Sequence, residues 1–588
     1  MSRKLKEKND ALLAAETGTM YKAGGADVTI ALAYPNTYRV GMSNLGLHQV
    51  YALFNRRGDT VCERVFLPDD EDIDEYSRTG TDLFTLESAR PTKAFDILAF
   101  SVSFEQDYLH ILEILRLSGI PADRRERTGH DPLLLLGGIC SFFNPEPLAD
   151  FFDVVLVGEG EVMIDAFVDT YKANRGKSNN ELFQALCLNE GVYVPEFYEV
   201  TYNTDGTIKE RKTLVPQAPG RIRKRVVKEL GLMPAASVIL TANTEFSNMY
   251  LTEVTRGCGR HCRFCMAGSL YLPPRNLSIE RAREEADKAT NLCGKIGLVG
   301  SALSDYPAID DLCAGIEGGV SVSSLRADSV SRTLVERLAR SGHKTISIAP
   351  EAGSEHLRKV INKGITEEDI LHAADMVFGS GIPNLKLYFI IGLPTETETD
   401  VDEIVSLAEK VHAIQLRHAR PAGRIGRITL SVNSFVPKPF TPFQWEPMES
   451  VANLNKKLRR LEKAVRKIGN TNIIHDLPKW EYVQALLSRG DRRTGKLILA
   501  AHARDGDWKG AAREIGMDAN FYATRRRAFD ESLPWDFIDI GVRKDYLRNE
   551  YDRAREGKYT PPCNVGSCVA CGVCEGTSTK EQTPTAKS

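Results

Sequence analysis

The sequence predicts an α/β protein built from a doubly wound parallel-sheet N-terminal domain and a partial (β/α)6 barrel, followed by a helical C-terminal region. Three observations carry this reading. Short continuous apolar runs alternate with helix-like stretches from about residue 28 to residue 435, as strands covered on both faces require. Glycines recur where those runs end, at the edge where open α/β sheets bind ligands. Beyond residue 450 the runs stop, and Leu454, Leu458, Leu461, Val465 and Ile468 fall at helical spacing among lysines and arginines.

In order, residues 1–25 read as a polar lead-in, irregular or partly helical. The first domain, 26–165, has strands at 28–33, 95–102, 132–138 and 154–161, with helices over 41–54 and 107–117. Residues 166–246 read as a connector. It holds a helix near 180–188, β-like pieces over 193–202, the turn Asn203-Thr204-Asp205-Gly206 and a basic stretch at 221–228 that reads as a solvated face. Strands return in 247–450, at 249–255, 296–300, 320–325, 345–349, 385–392 and 428–435. Six β/α units are two short of the eight that close a barrel, and in barrels the active residues gather at the strand C-termini. Residues 451–560 read as helical and basic, 561–576 as a cysteine-rich metal site, and 577–588 as a disordered polar tail.

Composition narrows the classes. The 588 residues, 42% hydrophobic and 26% charged, are ordinary for soluble globular proteins, and a net charge of -3 selects no partner. No run of about 18 apolar residues appears, and the opening MSRKLKEKND has no apolar segment behind its charges. A cytoplasmic protein with no membrane partner is therefore expected. Twelve cysteines in such a chain favour metal ligation over disulfides, and seven of them fall in two tight groups. Cys62, Cys140, Cys187, Cys293 and Cys313 are scattered and read as packed thiols.

The first group follows the strand at 249–255, where Cys258, Cys262 and Cys265 stand in C-x3-C-x2-C spacing. Three neighbouring thiolates suit an iron–sulfur cluster. A four-iron cluster held by three cysteines keeps one iron open, and an open position is what separates catalytic from closed structural metal sites. A zinc loop would want a second Cys or His pair within about 15–20 residues, and none follows before Cys293. The second group, Cys563, Cys568, Cys571 and Cys574, satisfies either a tetrahedral zinc or a second iron–sulfur cluster.

The C-x3-C-x2-C loop, with an aromatic residue (Phe264) before its third cysteine, resembles the radical S-adenosylmethionine (SAM) superfamily. That resemblance implies a [4Fe–4S] cluster whose free iron chelates SAM, reductive cleavage of the sulfonium and an electron donor such as flavodoxin or ferredoxin. The strand ends match in order. Gly300-Ser301 stands where the family has a glycine-rich turn for the SAM amino group, and Ser324 and Arg326 stand where ribose and carboxylate would bind. Glu351, in Glu351-Ala352-Gly353-Ser354, resembles the E-(S/A)-G-S segment near the ribose, with Ile361-Asn362-Lys363-Gly364 as the (I/M)-N-K-G tail. Ile391 and Gly392 open a turn like the G-L-P-x-E-T turn whose backbone meets adenine, and Pro437-Lys438-Pro439 begins a P-K-P-x-T-P-F-Q tail. No residue is assigned as catalytic.

The segments GGICSFFNPEPL and VLVGEGE resemble the cobalamin-binding domain that precedes many radical SAM cores. The D-x-H-x-x-G motif is absent, since the first strand is followed by Asn36-Thr37-Tyr38-Arg39-Val40-Gly41. Either cobalamin binds without a lower histidine, or the glycines simply make tight turns. The layout implies a radical SAM enzyme, with methyl or methylthio transfer favoured, on an unknown substrate. Methylthiotransferases draw three further cluster cysteines from their N-terminal domain, and Cys62, Cys140 and Cys187 do not obviously reproduce them. The alternative class is a zinc- and RNA-binding protein with a structural or redox-sensing cluster, using the basic residues of 451–560, among them Arg489, Arg492, Arg493 and Arg525-Arg526-Arg527.

Overall fold

The computed structural model describes residues 2–22, 25–423, 425–565 and 567–574. The expected tail at 577–588 lies outside them. A helix α1 (Arg3–Ala14) leads into a six-stranded sheet made of β1 (Val28–Tyr34), β2 (Thr60–Phe66), β3 (Ile97–Ser101), β4 (Leu133–Gly137), β5 (Val154–Leu156) and β6 (Val192–Tyr193). Its order is β2-β1-β3-β4-β5-β6, parallel except for β6. Helices α2 (Leu45–Arg56) and α3 (Tyr108–Ser118) cover it. The side chain of Asn44 caps α2 by accepting the Leu47 N–H at 3.0 Å.

Two of these strands do not show in the apolar pattern. β2 carries Glu63 and Arg64 in mid-strand, which masks it. Arg64 is nonetheless fully buried, paired with Glu16 (2.6 Å) and Glu87 (2.7 Å). β6 is two residues long.

The barrel wall begins with β7 (Tyr250–Arg256), β8 (Lys295–Gly300) and β9 (Gly319–Val322). It continues with β10 (Thr345–Glu351), β11 (Asn384–Ile391) and β12 (Ile428–Ser434). A parallel bridge from Leu325 to Ile348 joins the two halves. Among the helices between them are α4 (Ile279–Leu292), α5 (Arg332–Arg340), α6 (Glu367–Gly379) and α7 (Glu398–Ala422). The six expected strands are all present, and a seventh extends the wall: β13 (Thr471–Ile474) pairs parallel with β12. It lies inside the stretch read as helical, four residues between a basic helix and a turn, too short to show as a run. Along β11, Leu385, Leu387 and Ile391 are buried while Tyr388 and Ile390 line an internal cavity, the two-residue alternation of a strand.

The C-terminal region is otherwise helical, with α8 (Val451–Val465), α9 (Pro478–Arg489), α10 (Thr494–His502) and α11 (Lys544–Arg555). The apolar stripe Leu454, Leu458, Leu461 and Val465 of α8 is buried as expected. Among the described residues no helix is long and apolar enough to cross a membrane.

Charged side chains tie the regions together. Glu105, at the end of β3, accepts from Lys438, Ser488 and Gln484, joining the first sheet to the barrel's last loop and to α9. Glu146, behind β4, is buried between Arg211 (2.8 Å), Arg492 (3.4 Å) and the Tyr193 hydroxyl (2.6 Å). Burial alone would raise the Glu146 carboxyl, but Arg211 and Arg492 hold it at about 2. A carboxylate depressed in the folded state stabilises it fully above its unfolded value near 4.5 and loses that contribution as pH falls toward 2. Glu146→Gln should therefore lower unfolding free energy at neutral pH by about 3 kcal/mol, and should flatten the acid limb between pH 4.5 and 2 in urea titrations. Parallel acid limbs for the two proteins would refute this.

Candidate functional site

The loop from Gly257 to Cys265 leaves β7 at a position only glycine fills. Gly257 has φ +84°, and a Cβ there would lie 2.2 Å from the Tyr271 carbonyl oxygen. The loop's root is fixed by Arg256, which pairs with Glu159 (3.0 Å), Glu161 (2.9 Å) and Glu253 (2.6 Å). Its own peptide groups are satisfied from outside. The Asn362 amide donates to the carbonyls of Arg260 (3.2 Å), His261 (3.3 Å) and Thr560 (3.0 Å), and accepts the Thr560 N–H at 2.8 Å. Arg263, with a side chain 0% exposed, pairs with Glu550 (3.1 Å) and donates to the carbonyls of Lys359, Val360 and Lys558.

The three thiols of this loop sit together, half-buried. Burial, then Cys262 and Cys258, pushes the Cys265 thiol up to about 12. Mutual repulsion of this kind is what a shared cation reverses, because it takes the ligands as thiolates. Two cations stand beside them. Arg326 Nη1 lies 4.0 Å from Cys262 Sγ, and Arg326 is held by Asp328 (3.0 Å) and the Lys363 carbonyl (2.7 Å). The Lys363 ammonium meets Glu351 at 3.1 Å. Glu351 ends β10 at φ +66°, a left-handed conformation costly for a side-chain-bearing residue and common at functional sites.

The loop opens onto a cavity of about 830 Å³ lined by Phe264, Glu351, Tyr388, Ile390, Asn433, Lys438, His475 and Trp480, among others. A second cavity, about 430 Å³, lies where the barrel meets the carboxyl edge of the first sheet, and Ser301, Arg256, Glu159, Gly138 and Tyr271 are on its walls. The donor set of three thiols in one loop, beside two buried cations and an internal chamber, fits an iron–sulfur cluster with one open iron.

Comparison with known proteins agrees. The family model described as radical SAM proteins, N-terminal, matches residues 46–195, and that of the radical SAM superfamily matches 252–408. The chain belongs to the radical SAM superfamily. Membership brings the [4Fe–4S] cluster and SAM, and makes the protein an enzyme. An uncharacterized protein of Methanocaldococcus jannaschii is 30% identical across 80% of this chain and 90% of its own. A tRNA-2-methylthio-N(6)-dimethylallyladenosine synthase of Thermotoga petrophila is 27% identical over 42% of this chain and 54% of that protein. Of solved structures, the cobalamin-dependent SAM radical enzyme OxsB, with aqua-cobalamin and SAM bound, aligns at TM-score 0.44 and 15% identity over 90% of this chain and 79% of that one.

The structure distributes the expected residues of this radical SAM chain unevenly. Phe264 and Glu351 line the chamber, and Arg326 lies against Cys262. Gly300 packs on Thr255, where a Cβ would come within 2.3 Å of Thr255 Cγ2. Ser301 opens onto the 430 Å³ cavity, and Ser324 is exposed. Ile391 and Gly392 have their backbone groups engaged: the Ile391 carbonyl accepts from Phe435 at 2.8 Å, and the Gly392 N–H donates to Glu396 at 2.9 Å. Cys563 N–H donates to the Gly259 carbonyl at 2.7 Å, which places the second cysteine group beside the first. Of the scattered cysteines, Cys62, Cys140, Cys187 and Cys313 are buried and Cys293 is partly so.

Some of the basic residues of 451–560 are held in ion pairs. Lys457 pairs with Glu396 and Glu449, Arg460 with Glu398 and Asp402, Arg493 with Asp491, Arg525 with Glu531 and Arg526 with Glu446. Arg489 and Arg527 are buried. The basic stretch at 221–228 is only in part a solvated face. Ile222–Arg223 pairs with Ile538–Asp539, Lys224 is buried, and the Arg225 backbone bridges Gly158.

Asn362, Lys363, Arg263, Glu550 and Thr560 carry the loop, and sequence reasoning gave them no role. Asn362 and Lys363 stood in a recognised motif that hinted at one, whereas Glu550 and Thr560 lie 287 and 297 positions from Arg263 with no local signal. Residues that orient ligands typically change metal affinity or activity about 10- to 100-fold when lost. Asn362→Ala should keep its fold by circular dichroism yet weaken iron binding about 10- to 100-fold in anaerobic chelator competition; unchanged affinity would contradict the assignment.

Proposed function

We propose that this radical SAM enzyme cleaves SAM reductively and directs the resulting chemistry to methyl or methylthio transfer on a substrate held in the 830 Å³ chamber. The observation that carries it is the junction of the three-thiol loop with that chamber through Phe264. Cys258, Cys262 and Cys265 would hold the [4Fe–4S] cluster, which supplies the electron that breaks the sulfonium bond. Arg326 and Lys363 hold positive charge beside the thiolates, and Glu351, fixed by Lys363, presents a carboxylate where SAM polar groups would lie. Phe264 puts an apolar wall between the loop and solvent in the chamber. The direction of transfer is supported by the activities of two relatives, the tRNA methylthio synthase and a ribosomal protein uS12 methylthiotransferase of Thermodesulfovibrio yellowstonii, 23% identical over 32% of this chain and 47% of that one.

RNA remains one proposed substrate, with flavodoxin or ferredoxin as proposed electron donor. Among the described residues the chamber's only Lys or Arg is Lys438, already bound by Glu105 and Ser488. An RNA would thus enter by a base, stacking on Tyr388 and Trp480, with its phosphates outside.

Cobalamin is a further proposed cofactor, for the 430 Å³ cavity at the carboxyl edge of the first sheet, where Gly138, Gly158 and Gly160 lie on the walls. Two of these glycines also serve the chain's own packing: a Cβ on Gly138 would lie 2.4 Å from the Val102 backbone, and one on Gly158 2.5 Å from that of Arg225. No step is assigned to cobalamin. Anaerobic protein with dithionite and SAM should form 5'-deoxyadenosine. Cys262→Ala should form none, and Glu351→Gln should be about 10- to 100-fold slower with its iron retained. SAM cleavage that survives Cys262→Ala would overturn the reading.

A further inference from the structure

We propose that Cys563, Cys568, Cys571 and Cys574 bind a second iron–sulfur cluster, rather than zinc, seated directly against the loop of the first. Four observations support this. The spacing C-x4-C-x2-C-x2-C joins the C-x4-C-x2-C and C-x2-C-x2-C runs of the two ferredoxin types. Zinc sites of four cysteines instead use two C-x2-C pairs separated by about 15–20 residues. The four cysteines fall within twelve residues of one loop, Cys571 buried and the other three partly so.

The loop is also built rather than dangling. The Arg543 N–H donates to the Cys571 carbonyl at 2.9 Å and its guanidinium to the Ala570 carbonyl at 2.9 Å, while Cys568 N–H turns back to Asn564 at 3.0 Å. Gly572, at φ +95°, makes the turn between Cys571 and Cys574.

Placement is the fourth observation. Cys563 is hydrogen-bonded to Gly259, the residue after Cys258, and a Cβ on Gly259 would lie 3.0 Å from Cys563 Cβ, so no side chain separates the loops. Tyr546 of α11 spans the same junction. Its hydroxyl is 3.3 Å from His261 Nδ1, and it lies within the electrostatic reach of Cys571 and Cys568. On the other side Val565 and Val569 are 52% and 56% exposed. Among the described residues no three ligand side chains close around a point in either loop.

The proposal rests on the superfamily cluster only for its neighbour, and the test separates the two. Anaerobically reconstituted full-length protein should hold about eight irons and eight sulfides with no zinc. The triple variant Cys258→Ala, Cys262→Ala, Cys265→Ala should keep about four irons, and so should Cys568→Ser, Cys571→Ser. Because the clusters adjoin, the reduced wild-type electron paramagnetic resonance spectrum should show spin–spin broadening that both variants lose. About four irons with one zinc in the wild type, or an iron-free triple variant that still melts cooperatively, would overturn the second cluster. Absence of 5'-deoxyadenosine formation by the wild-type protein, with about four irons kept in the triple variant, would instead fail only the proposed activity.

Discussion

A loop that carries three cysteines within eight residues pairs few of its own peptide groups, and this constraint organises the molecule. Unpaired buried carbonyls and amides cost as much as a lost hydrogen bond. Here Cys265 N–H meets the Cys262 carbonyl, Asn362 meets the carbonyls of Arg260 and His261, and the Arg263 guanidinium anchors the loop to the carbonyls of Lys359 and Val360 outside it. Both reach far along the chain, Asn362 to Thr560 and Arg263 to Glu550 and Lys558. The C-terminal helix and the segment that follows it to Thr560 are thereby structural parts of the cluster site.

The N-terminal sheet acts on the same loop from the opposite side. Its Glu159 and Glu161 grip Arg256, and Glu159 also binds Arg275 at 2.8 Å. A buried guanidinium shared by carboxylates is held in one geometry, because removing any partner leaves an uncompensated charge. The glycines at this sheet edge let the chain pack against itself, with Arg225 filling the space at Gly158. The sheet's contribution is thus a fixed base for the cysteine loop. At Glu105 and Lys438 the same sheet closes one wall of the reaction chamber.

Much of this was legible in the sequence. The apolar runs marked the strands of the barrel, because enough of each strand is buried to keep the run legible despite Glu253, Lys386 and Asn433. The cysteine spacing gave the thiol loop, since its ligands are local. Strand β2 was hidden by Arg64, whose partners Glu16 and Glu87 are known only once the chain is folded. The supports of the loop were hidden for the same reason: an asparagine that bonds residues 102 and 198 positions away leaves no period to read. The basic character of α8 suggested a surface for a polyanion; the acids paired with Lys456, Lys457 and Arg460, here Glu396, Glu398 and Asp402, lie elsewhere in the chain and leave no mark in the helix itself.

The central claim is that the loop of Cys258, Cys262 and Cys265 presents an open iron to SAM. Electron–nuclear double resonance on the reduced Cys568→Ser, Cys571→Ser protein, with SAM labelled at its carboxylate and amino group, tests it directly. The account predicts strong coupling of the label to the one remaining cluster. A cluster whose spectrum is indifferent to SAM would contradict it.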